Sequence, residues 1–327
     1  MNVRLVLLSL IASLSMLSGS SAWADQVNPT NVLGTPFERR EVTDSLGRTI
    51  TYYVSHPSKP APLLLMIQGS GCAGVFHIQG EHSYSTLFDL LPLAADGAFT
   101  VVAVEKPFAD PDAKGGTASN CSPRFNADFT AERWLAAIEA SVDDASRLPQ
   151  IDHRRMLVIG LSEGAVMASL LASHDRRVTD VAVIGGSGTS QLFDFIALAY
   201  SQCFDRTACI VDVEHQVAAI NADPDSSTAF AWGHPFKRWS SFFRVDPGEE
   251  LLRSRARVYL AFGTADTSVP ALSQEVAVAK LHAAGRDVTV RRIDDAGHTL
   301  APAGHADFGA LDAEYHAILA WFWSAAR

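Results

Sequence analysis

The feature that most constrains this chain is a G-x-S-x-G sequence that lies between two apolar runs. Residues 156–159 form a short apolar run that predicts a buried strand, residues 160–164 carry the motif, and residues 165–172 form an apolar run of helical character. A turn this tight forces strained backbone angles on Ser162, and a side chain at either glycine would clash with a neighbouring element. We therefore expect Ser162 to stand at the end of a sheet, above a helix N-terminus that faces developing negative charge.

Residues 1–24 have the pattern of a cleavable secretory signal. Arg4 is the only charged residue, residues 5–17 are apolar, and the segment ends in the small-x-small sequence Ala22-Trp23-Ala24. This pattern predicts cleavage after Ala24, a secreted or periplasmic protein, and no stable membrane insertion once the signal is removed. The alternative is an uncleaved membrane anchor.

Residues 25–327 are predicted to form a single α/β domain. With 48% hydrophobic residues, a chain of this length can bury a large core. The formal net charge is −10 and no basic run is present, so nucleic acids and anionic membrane surfaces are not expected partners.

Short apolar runs alternate with helical patterns along this domain. Strands are predicted at 49–55, 63–67, 99–104, 178–184, 258–262 and 288–293, and helices at 128–148, 269–284 and 308–325. This alternation predicts a mostly parallel sheet with helices on both faces. Residues 49–55 alternate between polar and apolar and are expected to form an antiparallel edge strand.

Residues 186–248 break this alternation and are predicted to form a lid inserted between two core strands. The segment has no clear sheet strand and is rich in aromatic residues, among them Trp232 and Trp239. We expect these two tryptophans to contact substrate; the alternative is that the aromatic residues only pack the insertion against the core.

Four cysteines follow the predicted signal: Cys72, Cys121, Cys203 and Cys209. An even number in an exported chain favours two disulfides over four free thiols. Cys72 and Cys121 lie in loops that leave the same edge of the sheet after successive strands, and Cys203 and Cys209 are close in sequence, so these are the predicted pairs. No cysteine and histidine spacing is typical of a zinc site, and we expect neither a metal nor a cofactor.

A serine nucleophile requires a base and an acid that orients it. His298 is the predicted base because it follows the last strand, at the sheet edge where catalytic groups gather. Asp266, on the loop after the 258–262 strand, is the predicted acid. Asp294 and Asp295 are alternative candidates for this acid. The alternative role for Asp266 is to cap the helix that follows it.

Two backbone N–H groups are expected to bind the oxyanion. One belongs to Glu163, the residue after the nucleophile, and the other to Ser70 or Gly71 in the glycine-containing loop 68–74. The Glu163 side chain has two open interpretations, orienting a substrate amine or tethering a neighbouring loop. Glu105 and Lys106 are expected either to shape the pocket wall or to form a buried ion pair.

Together these motifs resemble the α/β-hydrolase superfamily over nearly the whole predicted mature chain, and within it the dienelactone-hydrolase-like and prolyl-oligopeptidase-like branches. The resemblance rests on residues 160–164, the loop 68–71, residues 263–266, and Gly297 with His298; Gln68 replaces a histidine that is common in these branches. It implies cofactor-free hydrolysis of an ester, thioester or peptide bond. We expect a carboxylic ester hydrolase with an acyl-enzyme intermediate; the alternatives are a small peptidase or aminopeptidase, a thioesterase and a non-catalytic binding protein.

Overall fold

The computed structural model describes residues 31–87, 89–110, 120–305 and 308–325. The predicted signal at 1–24 lies outside these residues. Of the helices that the structure describes, none is long and apolar enough to cross a membrane.

The strands and helices alternate along the chain. The strands are β1 (Phe37–Thr43), β2 (Thr49–Ser55), β3 (Ala61–Ile67), β4 (Phe76–Gln79), β5 (His82–Ser85), β6 (Thr100–Val104), β7 (Ile151–Leu161), β8 (Asp180–Ile184), β9 (Phe230–Ala231), β10 (His234–Pro235), β11 (Arg257–Gly263) and β12 (Val288–Ile293). The helices are α1 (Leu90–Asp96), α2 (Pro123–Asp128), α3 (Ala131–Ala145), α4 (Glu163–His174), α5 (Gln191–Gln202), α6 (Arg206–Ala222), α7 (Phe236–Phe242), α8 (Pro247–Arg253), α9 (Ala271–Ala283) and α10 (Gly309–Ser324).

An eight-stranded sheet forms the centre of the molecule, in the order β1-β2-β6-β3-β7-β8-β11-β12. β1 and β2 pair antiparallel with each other, β2 pairs antiparallel with β6, and all pairings from β6 to β12 are parallel. The prediction of a mostly parallel α/β sheet is confirmed.

Helices cover both faces of the sheet, which explains the continuous apolar runs in its central strands. Alternate residues of β3 divide between two cores: Leu63 and Leu65 face one, Leu64 and Met66 the other. α3, α4 and α8 contribute to the first core, and α1 and α10 to the second. Because the strands from β6 to β12 are parallel, their C-terminal ends and the loops that follow them lie at the same edge of the sheet.

Between β8 and β11 lies the segment predicted as an inserted lid. It contains α5, α6, the small β9–β10 hairpin and α7. α7 and α8 both contribute to the first core, through Phe242 and Leu251, and Glu250 of α8 accepts a hydrogen bond of 2.6 Å from Ser173 of α4. The part of the segment that contributes to neither core of the sheet is therefore α5, α6 and the β9–β10 hairpin.

The cysteines lie in the two predicted pairs. Cys72 bonds to Cys121 with a Cα–Cα distance of 5.8 Å, and Cys203 bonds to Cys209 with a Cα–Cα distance of 6.5 Å. The first pair joins the loop after β3 to the segment before α2, and the second joins the end of α5 to the start of α6.

Candidate active site

Ser162 occupies a strained turn between β7 and α4. Its backbone angles are φ 57° and ψ −120°, a conformation that costs energy for a residue with a side chain. A Cβ atom at Gly160 would lie 2.1 Å from the carbonyl oxygen of Gly164, and one at Gly164 would lie 2.2 Å from that of Ile67. Both glycines are thus required by close backbone contacts, as the sequence predicted.

His298 and Asp266 meet on the loops that follow β12 and β11. The Nδ1 atom of His298 lies 2.7 Å from Oδ2 of Asp266, and Oδ1 of Asp266 accepts hydrogen bonds from the backbone N–H groups of Ser268 and Val269 at 2.7 and 3.1 Å. Asp266 is buried, and its fixed carboxylate favours the tautomer with the proton on Nδ1. Nε2 of His298 is then left as a proton acceptor.

The turn after β8 lies against both Ser162 and His298. The backbone N–H of Ser162 donates to the oxygen of Ile184 at 2.9 Å. A Cβ at Gly185 would lie 3.4 Å from Nδ1 of His298, and one at Gly186 would lie 3.1 Å from the carbonyl oxygen of Ser162. The glycines of this turn leave room for the His298 side chain on one side and the Ser162 backbone on the other. Within the described residues, no hydrogen bond joins Ser162 Oγ to His298; such bonds often tighten only when substrate binds.

The loop after β3 passes beside Ser162. A Cβ at Gly69 would lie 3.5 Å from Cβ of Ser162. The ammonium group of Lys106 donates to the carbonyl oxygens of Gly69 and Gly71, at 2.7 and 3.1 Å. Because C=O and N–H point in opposite directions across a trans peptide, the N–H of Ser70 points away from Lys106.

A buried ion network lies behind the turn. The Glu163 carboxylate accepts from Lys106 at 2.9 Å and from Arg238 of α7 at 2.6 Å, and all three side chains are at most 2% exposed. Burial alone would raise the pKa of Glu163, but the two cations outweigh it and hold that pKa at about 2. Glu163 therefore tethers its neighbours and is not free to orient a substrate amine.

The neighbouring Glu105 does not pair with Lys106. Its carboxylate accepts from the backbone N–H of Val75 at 3.0 Å and from the hydroxyl of Tyr53 at 3.2 Å. Burial raises its pKa to about 7. The buried ion pair expected for Lys106 is formed with Glu163 instead.

A pocket of about 130 Å³ opens beside Ser162. Trp239 lines it, whereas Trp232 stacks on Phe195 at a centroid distance of 4.0 Å and lines an adjoining pocket. The sequence analysis did not single out several polar residues of this wall. The remaining lining residues are Ser70, Glu163, Ser187, Gln191, Asp194, Phe195, Leu198, His234, Arg238, Ser268 and Val269.

Among the described residues, no group of three or more His, Cys, Asp or Glu side chains is arranged to hold a metal ion. The site does contain a serine hydroxyl and an imidazole that is hydrogen-bonded to a buried carboxylate.

Comparison with known proteins supports the same fold. The family profile described as "BAAT / Acyl-CoA thioester hydrolase C terminal" matches residues 138–305, about half of the chain. A search of curated proteins found no match.

Solved structures with the same fold have low sequence identity to this chain. An acylaminoacyl peptidase from Pyrococcus horikoshii has a TM-score of 0.61 and 14% identity, with 88% of this chain and 41% of that chain covered. This chain thus spans about two fifths of the length of that peptidase. A putative dienelactone hydrolase from Klebsiella pneumoniae gives 0.56 and 16%, with 88% and 99% covered. Est1E from Butyrivibrio proteoclasticus gives 0.54 and 16%, with 87% and 97% covered.

Proposed function

The chain belongs to the BAAT / acyl-CoA thioester hydrolase C-terminal family of α/β-hydrolases, and we propose that it cleaves carboxylic esters through a serine-bound acyl intermediate. One observation carries the proposal: Ser162 stands in a strained turn at the sheet edge where His298 is hydrogen-bonded to Asp266. A serine hydroxyl becomes a nucleophile when an oriented imidazole accepts its proton, and this arrangement supplies the orientation.

The proposed reaction has two half-reactions. Ser162 Oγ attacks the acyl carbon while Nε2 of His298 takes the hydroxyl proton, and Asp266 stabilises the imidazolium that forms. The ester bond to the leaving alcohol then breaks, and the alcohol takes this proton from His298. Water attacks the acyl-enzyme in the same way, releasing the carboxylic acid and restoring Ser162.

The oxyanion of each tetrahedral intermediate is proposed to bind two backbone N–H groups. One belongs to Glu163, at the first position of α4. For the other, the orientation of the Gly69 carbonyl toward Lys106 favours Ser70 over Gly71. Such donors lower the barrier because they are already aimed at the developing charge.

Thioesters and peptides are the second candidates. The family description names acyl-CoA thioester hydrolysis, and one structural neighbour is a peptidase. The net charge of −10 disfavours a highly anionic ligand such as CoA. Export, proposed from the predicted signal at 1–24 and supported by the two disulfides, would also separate the enzyme from cytosolic CoA.

Removal of the nucleophile tests the proposal. We expect Ser162→Ala to fold but to lose turnover by roughly 10⁴- to 10⁶-fold and to lose labelling by a fluorophosphonate. Ser201→Ala is a suitable control, because Ser201 is exposed on α5 and its hydroxyl donates only to helix carbonyls. Labelling that persists in Ser162→Ala would contradict the assignment.

A substrate panel separates the candidates. Rates are compared on p-nitrophenyl esters, amino-acid p-nitroanilides and acyl-CoA thioesters at matched concentrations. The proposal requires the esters to have the highest kcat/KM. A higher kcat/KM on anilides or on acyl-CoA would assign the enzyme to the corresponding second candidate.

A further inference from the structure

Asp194 is a buried carboxylate in the wall of the pocket that contains Ser162. It lies in the first turn of α5 and is 5% exposed. One carboxylate oxygen, Oδ2, accepts a hydrogen bond from Ser187, whereas Oδ1 is buried and has no hydrogen-bond partner among the described residues. A buried acceptor without a donor costs free energy that a bound ligand can recover.

No cation within the described part of the chain forms an ion pair with Asp194. Burial raises its pKa to about 6; the hydroxyls of Ser187 and Ser273 lower it, and the carboxylates of Asp266 and Asp246 raise it further. Ser273 lies near the carboxylate and its oxygen accepts from the backbone N–H groups of residues 188 and 189, but it makes no hydrogen bond to Oδ1 of Asp194. At neutral pH the Asp194 carboxylate is therefore mostly ionised, with no ion pair of its own in the described part of the chain.

Arg238, the cationic residue in the same pocket wall, already has hydrogen-bond partners. Arg238 donates to Glu163 and, through Nη1, to Oε1 of Gln191 at 2.8 Å. Gln191 lies three residues before Asp194 in the first turn of α5, so the guanidinium is bound by a neighbour of Asp194 and makes no ion pair with its carboxylate.

Helix capping does not account for Asp194. The cap of α5 is Ser190, whose hydroxyl accepts from the backbone N–H of Phe193. The helix dipole stabilises first-turn acids by only about 0.3–1 kcal/mol when they are exposed, which gives no reason to bury one. The hydrogen bond from Ser187 satisfies Oδ2 of Asp194, and Oδ1 stays without a donor among the described residues.

His234 adds a second unpartnered polar atom to this pocket. Its Nδ1 is buried without a hydrogen-bond partner among the described residues. Burial and the charge of Arg238 lower its pKa to about 3, so the imidazole is neutral and one ring nitrogen can accept a hydrogen bond. A carboxylate with one unpartnered oxygen, beside a neutral imidazole that can accept through one ring nitrogen, is complementary to a cationic donor.

We propose that Asp194, assisted by His234, binds an ammonium group of the substrate, so that the preferred esters carry a primary or secondary amine near the scissile bond. A charged donor is favoured over a hydroxyl because it also neutralises the buried carboxylate. The inference rests on the proposed ester hydrolysis for its kinetic test, but the subsite can be detected without catalysis.

The kinetic test compares ethyl esters of glycine, β-alanine and 4-aminobutanoate with those of acetate, propanoate and butanoate. We expect the wild type to have at least a tenfold higher kcat/KM on one amino ester than on its neutral counterpart. Asp194→Asn keeps the side-chain shape and should lower that ratio at least tenfold, mainly through KM. Asp225→Asn, an exposed acid of the same insertion, should leave the ratio unchanged. No amino-ester preference in an enzyme that hydrolyses the neutral esters, or an unchanged ratio in Asp194→Asn, would overturn the proposal.

The binding test uses Ser162→Ala, which cannot turn over. Propylammonium chloride should raise its melting temperature by about 2 °C or more relative to equal sodium chloride, because a ligand that binds only the folded state stabilises it. The shift should disappear when Asp194→Asn is added. A positive shift without ester hydrolysis by the wild type would retain the subsite and reject the proposed reaction. Equal melting temperatures in the two salts would reject the subsite.

Discussion

At the scale of single residues, the orientation of one imidazole is the central question. Three aspartates lie near His298 in sequence or in the fold, and the hydrogen bond of 2.7 Å is made by Asp266. Asp294 and Asp295 are exposed on the turn after β12, and the backbone N–H of Asp295 donates to Thr264. The loop after β11 thus brings Asp266 to Nδ1 of His298, although Asp294 and Asp295 are closer to His298 in the sequence.

We expect Asp266→Asn to lower kcat by roughly 10²- to 10⁴-fold, because an amide favours the wrong imidazole tautomer. The melting temperature should change little, since the amide oxygen can still accept from Ser268 and Val269. Steady-state kinetics together with thermal melts check both statements. Asp294→Asn is the matched control; if it removes activity and Asp266→Asn does not, the assignment of the acid is wrong.

Residues within one motif could be predicted from the sequence, and so could pairs on loops at one sheet edge, such as Asp266 with His298; a partner supplied by the insertion could not. Gly160 and Gly164 were predicted because a tight turn requires them, and this is confirmed, since a Cβ atom there would lie 2.1 and 2.2 Å from backbone oxygens. The contact of Glu163 with Arg238 joins positions 75 residues apart. An arginine in an aromatic-rich insertion has no local pattern that indicates this partner.

At the scale of elements, continuous apolar runs identified the buried strands, whereas a strand in which polar residues predominate could not be recognised. β1 reads Phe-Glu-Arg-Arg-Glu-Val-Thr and was missed, because an antiparallel edge strand with one solvated face has few apolar residues. The edge position predicted for residues 49–55 is therefore wrong: β2 is antiparallel, but it lies between β1 and β6. The helix predicted at 128–148 is α3, which begins three residues later because Thr130 caps it by accepting from the N–H of Arg133; the short α2 before it was missed. Thr130 was the start signal that would have placed this boundary.

Lys106 connects three elements at one point. It follows β6, donates to the loop after β3, and pairs with Glu163 at the start of α4. We expect Lys106→Met to destabilise the fold by about 1–3 kcal/mol, because the buried carbonyl oxygens of Gly69 and Gly71 lose their donor, while Glu163 keeps its pair with Arg238. It should also lower kcat roughly tenfold or more, since the Ser70 N–H loses its support.

Lys59→Met is the control for this variant, because Lys59 is exposed. Kinetics are measured well below the melting temperature of each variant, per molecule of folded enzyme titrated with a fluorophosphonate. If Lys106→Met has a lower melting temperature but an unchanged kcat, Lys106 only stabilises the fold.

The two predicted tryptophan contacts differ in their placement. Trp239 lines the pocket beside Ser162, and Trp232 lies behind Phe195. We expect Trp239→Ala to shift the preference toward longer acyl chains, because it enlarges a pocket of about 130 Å³. Trp232→Ala should shift it less. Ratios of kcat/KM across an ester series give the answer, and an equal loss on all esters with a lower melting temperature would mean that both residues only pack.

At the scale of the whole molecule, the sheet edge gathers loops that are far apart in sequence. The serine, the base, the acid and the proposed oxyanion donors follow four different parallel strands, and helices on both faces hold those strands in place. The disulfide between Cys72 and Cys121 adds a covalent connection at this edge. Cys72 lies two residues after Ser70, and its carbonyl accepts from the backbone N–H of Asp110 at 2.8 Å.

This bridge is expected to support both stability and catalysis. It closes a loop with a sequence separation of 49, against 6 for Cys203–Cys209, and chain entropy then assigns about 4 kcal/mol to the first bridge and about 2 kcal/mol to the second. The double serine variant of Cys72 and Cys121 should therefore unfold at lower denaturant concentration than that of Cys203 and Cys209. Under conditions where both are folded, only the first should lose turnover, because it frees the loop that carries the Ser70 N–H. Equal turnover in the two variants would show that the bridge stabilises the fold without bracing the site.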